Sequence, residues 1–403
     1  RALYFEDRPF TYQEVNHRTN QLCHLLLKLG VKKGERTAVL LHNCHQYVEI
    51  FLALSKIGAI LVPLNWRLAE PELEFILQDS GSRILIFQQE FEEVVASIRS
   101  HLPLSDGNYL AIGQPSPDWA TDYEKAISGK PASEPSVNGP VGDEDPHIIM
   151  YTSGTTGVPK GAVLSHRKTF FNVLNADIVY NLTSKDLVIV SRPMFHSGGL
   201  LVEAAPVLYK GGTLILRKRF RPNEILETTQ KYHVTMLELA ATVYQFILND
   251  CDLSRYDLSS VRCFFTGGER IPVAMLKEYR KKGITISQLF GQTEASTIAF
   301  LSPEEATHKI GAVGRPVFHG EVRIVDKTGN DVKPGEVGQI IVKGPTLMSE
   351  YWNRPDLTAE TIRDGWLYTG DLAKRDEEGY IYIVDRESDL YISGGENVYP
   401  AEI

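Results

Sequence analysis

Residues 148–161 read Ile-Ile-Met-Tyr-Thr-Ser-Gly-Thr-Thr-Gly-Val-Pro-Lys-Gly. The first four are apolar or aromatic and predict a strand; the following ten have the composition of a phosphate cradle. Gly154, Gly157 and Gly161 permit positive φ and close backbone approach. Thr152, Ser153, Thr155 and Thr156 add hydroxyl donors, and Lys160 adds a cation suited to a polyphosphate. No GK[ST] ending follows at Walker spacing, so kinase-like or GTPase-like chemistry is not implied. Taken alone, a Gly/Ser/Thr-rich turn is an ordinary loop, so its surroundings must decide.

Outward from this stretch, short β-branched runs alternate with longer amphipathic ones, the pattern of an α/β protein with helices between strands. Strands are expected at 37–41, 83–87, 148–151, 186–191, 213–216, 235–239, 261–266 and 284–289. Residues 11–29 predict a helix, with Val15, Leu22, Leu25, Leu26 and Leu29 on one face and Gly30 as its stop. The polar, Pro- and Gly-rich run 128–145 reads as an exposed connector. After Gly314 the texture changes to hairpin-like strands at 321–326, 338–343 and 380–384, separated by Gly turns, which predicts a β-rich subdomain.

The chain's 403 residues exceed what one hydrophobic core usually organises. Its 43% apolar and 23% charged content are those of a soluble globular protein. The apolar stretches 49–64 and 199–208 are broken by Lys, Glu or Pro before the ~18 residues of a bilayer span, and read as core. A net charge of −9 argues against nucleic acid as a partner. Cys23, Cys44, Cys251 and Cys263 form no CxxC pair, which suits reduced thiols and a cytoplasmic location. His42 and His45 flank Cys44, but no further ligand cluster lies near them in sequence. Arg1 to Asp7 show neither an initiator Met nor a signal-peptide plan, so the native start is expected upstream.

The string Thr152 to Gly161 resembles the signature of the adenylate-forming superfamily, which includes acyl-CoA and aryl-CoA synthetases, peptide-synthetase adenylation domains and beetle luciferases. Further segments resemble its motifs in the same order: Arg192-Pro193-Met194-Phe195-His196, Gly267-Gly268-Glu269, Phe290-Gly291-Gln292-Thr293-Glu294, the Gly311 to Pro316 string, Tyr368-Thr369-Gly370-Asp371, Asp385-Arg386, and Ser393 to Ile403. The resemblance implies layered α/β sheets plus the β-rich subdomain, and it assigns roles. Thr152, Ser153, Gly154, Thr155, Thr156, Gly157 and Lys160 would cradle phosphates, and His196 would gate the carboxylate pocket. Gly267, Gly268, Glu269, Phe290 (where the family usually has Tyr), Gly291 and Gln292 would border adenine. Thr293 would bond the α-phosphate, Glu294 would hold Mg²⁺, and Asp371 and Arg386 would hold the ribose. Lys160, His196, Thr293 and Glu294 form the implied catalytic set. A Glu at a helix start would otherwise simply complement the helix dipole.

The implied reaction is ATP-dependent activation of a carboxylic acid to acyl-AMP, followed by transfer to coenzyme A. A fatty acid is the favoured substrate, from the small and aliphatic Gly198, Gly199, Leu200, Leu201, Ala240, Ala241 and Val243. An aryl acid or o-succinylbenzoate comes second, because Asp-Arg-x-Ser-Asp at 385–389 resembles o-succinylbenzoyl-CoA synthetases. Glu238 is awkward for either. His196 stands where an amino-acid-activating domain would carry Asp, and a non-catalytic nucleotide-binding relative is a further alternative. The implied domains are 1–384 (large, its β-rich part about 314–384), a hinge at 385–389 with Ser388 where the family has Asp or Lys, and 390–403 opening a small domain whose lysine would lie beyond residue 403. A homodimer stays open.

Overall fold

Backbone ladders form where the β-branched runs predict them, and they recruit strands that the pattern hid. The computed structural model describes residues 1–137, 139–152, 158–386, 391–393 and 396–398. The chain divides into two compact units: Arg1–Phe170 with Val190–Phe220 and Met348–Pro355, and Phe171–Ile189 with Arg221–Leu347 and Asp356–Ile403. No helix among the described residues is long and apolar enough to cross a membrane.

In the first unit, an eight-stranded sheet of described residues runs in the order Glu350–Tyr351, Lys160–Ser165, Pro146–Thr152, Ile60–Pro63, Arg36–Leu40, Ile84–Gln88, Tyr109–Ile112, Thr121–Asp122. From Pro146–Thr152 to Thr121–Asp122 the pairing is parallel. The central strands are buried along nearly their whole length, which is why 38–40, 60–63 and 84–87 read as apolar runs. Ala38, Leu40, Val62, Leu85, Phe87, Ile149 and Val163 form their core. The strand Ile60–Pro63 lies inside the apolar stretch 49–64, behind the helix His45–Ile57 and the left-handed Gly58 that ends it.

The helix Tyr12–Lys28 begins in a reciprocal cap: Glu14 N–H donates to Thr11 Oγ1 at 3.1 Å, and Thr11 N–H donates to the Glu14 carboxylate at 2.7 Å. Val15, Leu22, Leu25 and Leu26 are buried, as their spacing predicts. Beside them Glu49 is wholly buried, and it accepts from Arg18 at 2.6 Å, His45 at 2.7 Å and Tyr123 at 2.9 Å. Burial alone would raise its pKa; the His45 and Arg18 hydrogen bonds outweigh that and lower it.

In the second unit, the strands Leu187–Ile189, Met236–Glu238, Cys263–Gly267 and Ile286–Gln292 pair in parallel, and Ile286–Gln292 turns back antiparallel into Ser296–Leu301. A five-stranded sheet of described residues follows: Glu321–Val325, Gly338–Lys343, Trp366–Arg375 and Ile362–Arg363 in line, with Ile381–Arg386 on Trp366–Arg375. These are the hairpin strands expected after Gly314. Gly314 itself has φ +101°, and a Cβ there would land on the Phe300 carbonyl, so only glycine lets the chain cross at this point. Just beyond, the Tyr380 ring meets two cations, Arg315 at 4.3 Å from its centroid and Lys309 at 4.7 Å.

The foot of the hairpin Pro146–Thr152/Lys160–Ser165 carries an imidazole pair, His147 buried and His166 half-buried. His147 and His166 stack at 4.2 Å with 16° between their planes, and His147 also meets Ser55 Oγ at 2.6 Å and Thr169 Oγ1 at 3.1 Å. Burial holds both pKa values below the ordinary range. For His147 the His166 charge adds to this; for His166 the Asp145 carboxylate opposes it. Folded values below the unfolded one of about 6.5 mean that the native state binds fewer protons. The stability is therefore complete above that pH and is lost progressively as pH falls from there through the lower folded values. Denaturant unfolding at pH 5.5 is expected to give a free energy about 1–3 kcal/mol below that at pH 7.5, and the difference should shrink in His147→Gln.

Candidate functional site

Only the flanks of the predicted phosphate turn lie in the described part; Ser153, Gly154, Thr155, Thr156 and Gly157 fall outside the described residues, as does Ser388. Thr152 pairs with Lys160 across the hairpin. Gly161 has no room for a side chain: a Cβ would approach Ile149 Cγ2 to 2.7 Å and the Tyr151 ring to 3.0 Å. Tyr151 hydroxyl donates to Asp79 Oδ2 at 2.7 Å, and Arg354 pairs with Asp79 Oδ1 at 3.1 Å. Trp352 Nε1 and Asn353 Nδ2 donate to the Asp79 carbonyl at 2.9 and 3.1 Å. Asp79 thus gathers both ends of the hairpin's support, yet nothing in its local sequence marks it.

His196 also belongs to the first unit. Its loop is held by Asn43, whose Nδ2 donates to Arg192 O at 2.8 Å and whose Oδ1 accepts from Met194 N–H at 2.8 Å. Buried Glu203 accepts from Ser191 Oγ at 3.0 Å and from Arg192 N–H at 3.2 Å. Glu203 rides on a π-helix, Gly198–Ala204, a wide turn that costs hydrogen-bond geometry and is frequent at functional sites. Gly199 packs so tightly on this loop that a Cβ would lie 2.5 Å from Pro193 O. Its smallness is therefore used by the loop itself and does not widen a pocket.

The His196 ring lies 4.4 Å from that of Phe195, which meets Trp66 edge-on at 6.0 Å. By area the side chain is open to solvent, yet its ring is crowded by protein atoms, and for the imidazole this crowding counts for more than the open edge. Crowding first, and then the Arg67 and Arg192 cations, push its pKa down to about 4. At neutral pH it is an uncharged donor and acceptor, able to orient a carboxylate without trapping it as an ion pair.

The second unit brings the adenine and metal candidates to one end of its parallel strands. Gly267 pairs with Leu289 in register and would lose that fit with any Cβ, so the turn Gly267-Gly268-Glu269 leaves its strand beside Phe290-Gly291-Gln292. Glu269 accepts from Thr242 N–H at 3.4 Å. Glu294 does not start a helix. Thr293, Glu294 and Ala295 form the tight turn between Ile286–Gln292 and Ser296–Leu301, closed by Ala295 N–H to Gln292 O at 3.1 Å, with Ser296 at φ +61°. Glu294 is buried, and dipole complementation cannot be its role. No cluster of three or more His, Cys, Asp or Glu suited to a metal occurs among the described residues. A lone hard carboxylate fits Mg²⁺ that arrives on a polyphosphate, since that ion keeps water and phosphate oxygens as its other ligands.

Asp371 and Arg386 lie on a different sheet and meet there as direct cross-strand partners, with Arg386 Nε 3.3 Å from Asp371 Oδ1. Asp371 is buried, and its backbone N–H donates to Thr369 Oγ1 at 3.1 Å, while Thr369 donates to Ile340 O at 2.8 Å. The two side chains present a carboxylate and a guanidinium together, a pairing that can grip a diol.

The family model described as AMP-binding enzyme matches residues 1–352. A feruloyl-CoA synthase from Amycolatopsis sp. is 39% identical over 394 residues, covering 98% of this chain and 77% of that protein. Among solved structures, the anthranilate CoA ligase AuaEII in complex with anthranoyl-AMP has a TM-score of 0.93 at 29% identity, covering 100% of this chain and 77% of that one. The o-succinylbenzoate coenzyme A synthetase MenE from Bacillus subtilis, in complex with ATP and magnesium ion, has a TM-score of 0.87 at 32% identity, covering 100% and 80%.

Because the crowded ring and the two flanking cations persist whatever the substrate, His196 is expected to stay neutral from pH 8 down to about 5. Its imidazole signals in an NMR titration should show no midpoint near 6.5.

Proposed function

Since the chain belongs to the AMP-binding enzyme family, we propose that it activates an aromatic carboxylic acid, with Glu294, Thr293, Lys160 and His196 as its working residues. The enzyme is an AMP-forming acid–thiol ligase that uses ATP, Mg²⁺ and coenzyme A. A carboxylate oxygen attacks the α-phosphorus of ATP, forming acyl-AMP and expelling pyrophosphate; the coenzyme A thiolate then attacks the acyl carbon, and AMP leaves.

Such chemistry needs placement and charge neutralisation more than covalent help from the protein. Asp371 and Arg386 hold the ribose, while Gly267 to Glu269 and Phe290 to Gln292 border the base. Thr293 donates to the α-phosphate, and Thr152 and Lys160 serve the β- and γ-phosphates. Mg²⁺ on Glu294 would neutralise charge developing on the phosphate oxygens. On the same reading, 385–389 is a hinge between the large domain and a small one opened by 390–403.

The observation that carries the aromatic assignment is the His196 ring set 4.4 Å from that of Phe195, with Trp66 edge-on behind. Support comes from the similarity to feruloyl-, anthranilate- and o-succinylbenzoate-CoA ligases. A fatty acid is the second reading, favoured by buried Leu200, Leu201 and Ala241, but it loses the support of Gly199, whose space is filled by its own loop.

Pyrophosphate release should be measured over cinnamic, arylacetic, benzoic and aliphatic acids. The aryl arm is expected to give kcat/KM at least ten-fold above the aliphatic arm, and the reverse order would overturn the aromatic assignment. Glu294→Gln is expected to cut adenylation roughly a hundred-fold and to raise the Mg²⁺ requirement; an unchanged Mg²⁺ dependence would remove its ligand role.

A further inference from the structure

Lys160 stands at the close of the phosphate turn, and its ammonium lies 4.4 Å from the centroid of the Tyr351 ring. Tyr351 is only 2% exposed, so the aromatic face cannot swing away. The pair Glu350–Tyr351 is zipped antiparallel onto Lys160–Ser165 with Tyr351 opposite Ala162. It is flanked by Ser349 N–H to Val163 O at 2.9 Å and Trp352 N–H to Gly161 O at 2.7 Å. One to three residues further on, Trp352, Asn353 and Arg354 lock onto Asp79, the residue that also receives the Tyr151 hydroxyl. Both arms of the hairpin and the ring beneath Lys160 are therefore tied to one carboxylate-bearing residue.

A lysine side chain has four flexible carbons and loses rotamer freedom when it is held in place. Among the described residues no carboxylate pairs with Lys160. This difference matters chemically. A carboxylate would hold the ammonium but cancel its charge, whereas a ring face attracts the cation and leaves its formal charge and its outward N–H donors for a phosphate.

We infer that Tyr351 is a positioning residue for nucleotide engagement: its buried ring, clamped through Asp79, pre-places the Lys160 ammonium for the β- and γ-phosphates of ATP. The inference rests on the reading of Lys160 given under the proposed function. It predicts a split between ATP and AMP, because AMP has no β- or γ-phosphate for the lysine to meet.

The test is calorimetric binding of MgATP and of AMP to the intact protein and its variants. Tyr351→Leu removes the ring face and is expected to weaken MgATP roughly five- to ten-fold while AMP affinity stays within two-fold, which also reports that the fold is kept. Tyr351→Phe, which retains the ring, should recover most of the loss. In a Lys160→Met background, Tyr351→Leu should cause no further loss, since coupled residues are non-additive. Equal weakening of ATP and AMP, or full additivity of the two changes, would overturn the inference while leaving Lys160 as a phosphate contact. Unchanged MgATP affinity in Lys160→Met would overturn the reading of Lys160 and the inference with it.

Discussion

A turn rich in glycine contributes almost no packing of its own, so its position must be imposed by what grips its arms. In this protein the grip is the Asp79 side chain and carbonyl, which together receive Tyr151, Trp352, Asn353 and Arg354. Everything required of the phosphate hairpin depends on this: the register of Thr152 with Lys160, the close fit of Gly161 under Tyr151, and the orientation of the lysine. The carboxylate is only partly screened, with Asp79 at 11% side-chain exposure, and is shared between a neutral hydroxyl and a guanidinium. Removal of Tyr151 or Arg354 would leave a largely buried carboxylate oxygen short of a partner.

Much of the fold was legible because it rests on local rules. Residues 38–40 and 84–87 are apolar runs because these central strands are buried on both faces, and Tyr12–Lys28 announces itself through Thr11, Glu14 and Gly30. Other strands were hidden for physical reasons. Ile60–Pro63 continues the apolarity of the helix before it, so no change of period marks the boundary. Ser296–Leu301 begins at a left-handed Ser296, where a helix start after Glu294 was an equally good local reading; cross-strand pairing with Ile286–Gln292, not propensity, decides it.

The candidate site divides along the same line. Lys160 could be named from its type beside a Gly/Ser/Thr-rich turn, whereas Glu294 and Asp371 are named through the resemblance of the motifs that contain them. Residues that act through another could be named by neither route. Asp79 and Trp352 are separated by 273 positions, Glu203 reaches back to Ser191 from a π-turn, and Asn43 brackets Arg192 and Met194 from 149 and 151 positions away. None carries a local signature, because the constraint each satisfies exists only once the sheet is built. Gly199 shows the converse: it reads as spaciousness and turns out to be tight packing against a carbonyl.

The edge strand Glu350–Tyr351 has a consequence for how the protein is made. The first unit is assembled from three separated stretches of chain, and its last contribution, Met348–Pro355, follows well over a hundred residues that belong to the second unit. During synthesis the strand Lys160–Ser165 therefore emerges with an unpaired row of backbone donors and acceptors, and it stays uncapped until translation has passed residue 351. At the usual pace of about 5–20 residues per second, that interval is on the order of ten seconds or more. An open apolar edge for that long is a template for intermolecular pairing, so the growing chain is most vulnerable to aggregation in mid-synthesis, and slow translation between residues 165 and 351 would lengthen its exposure.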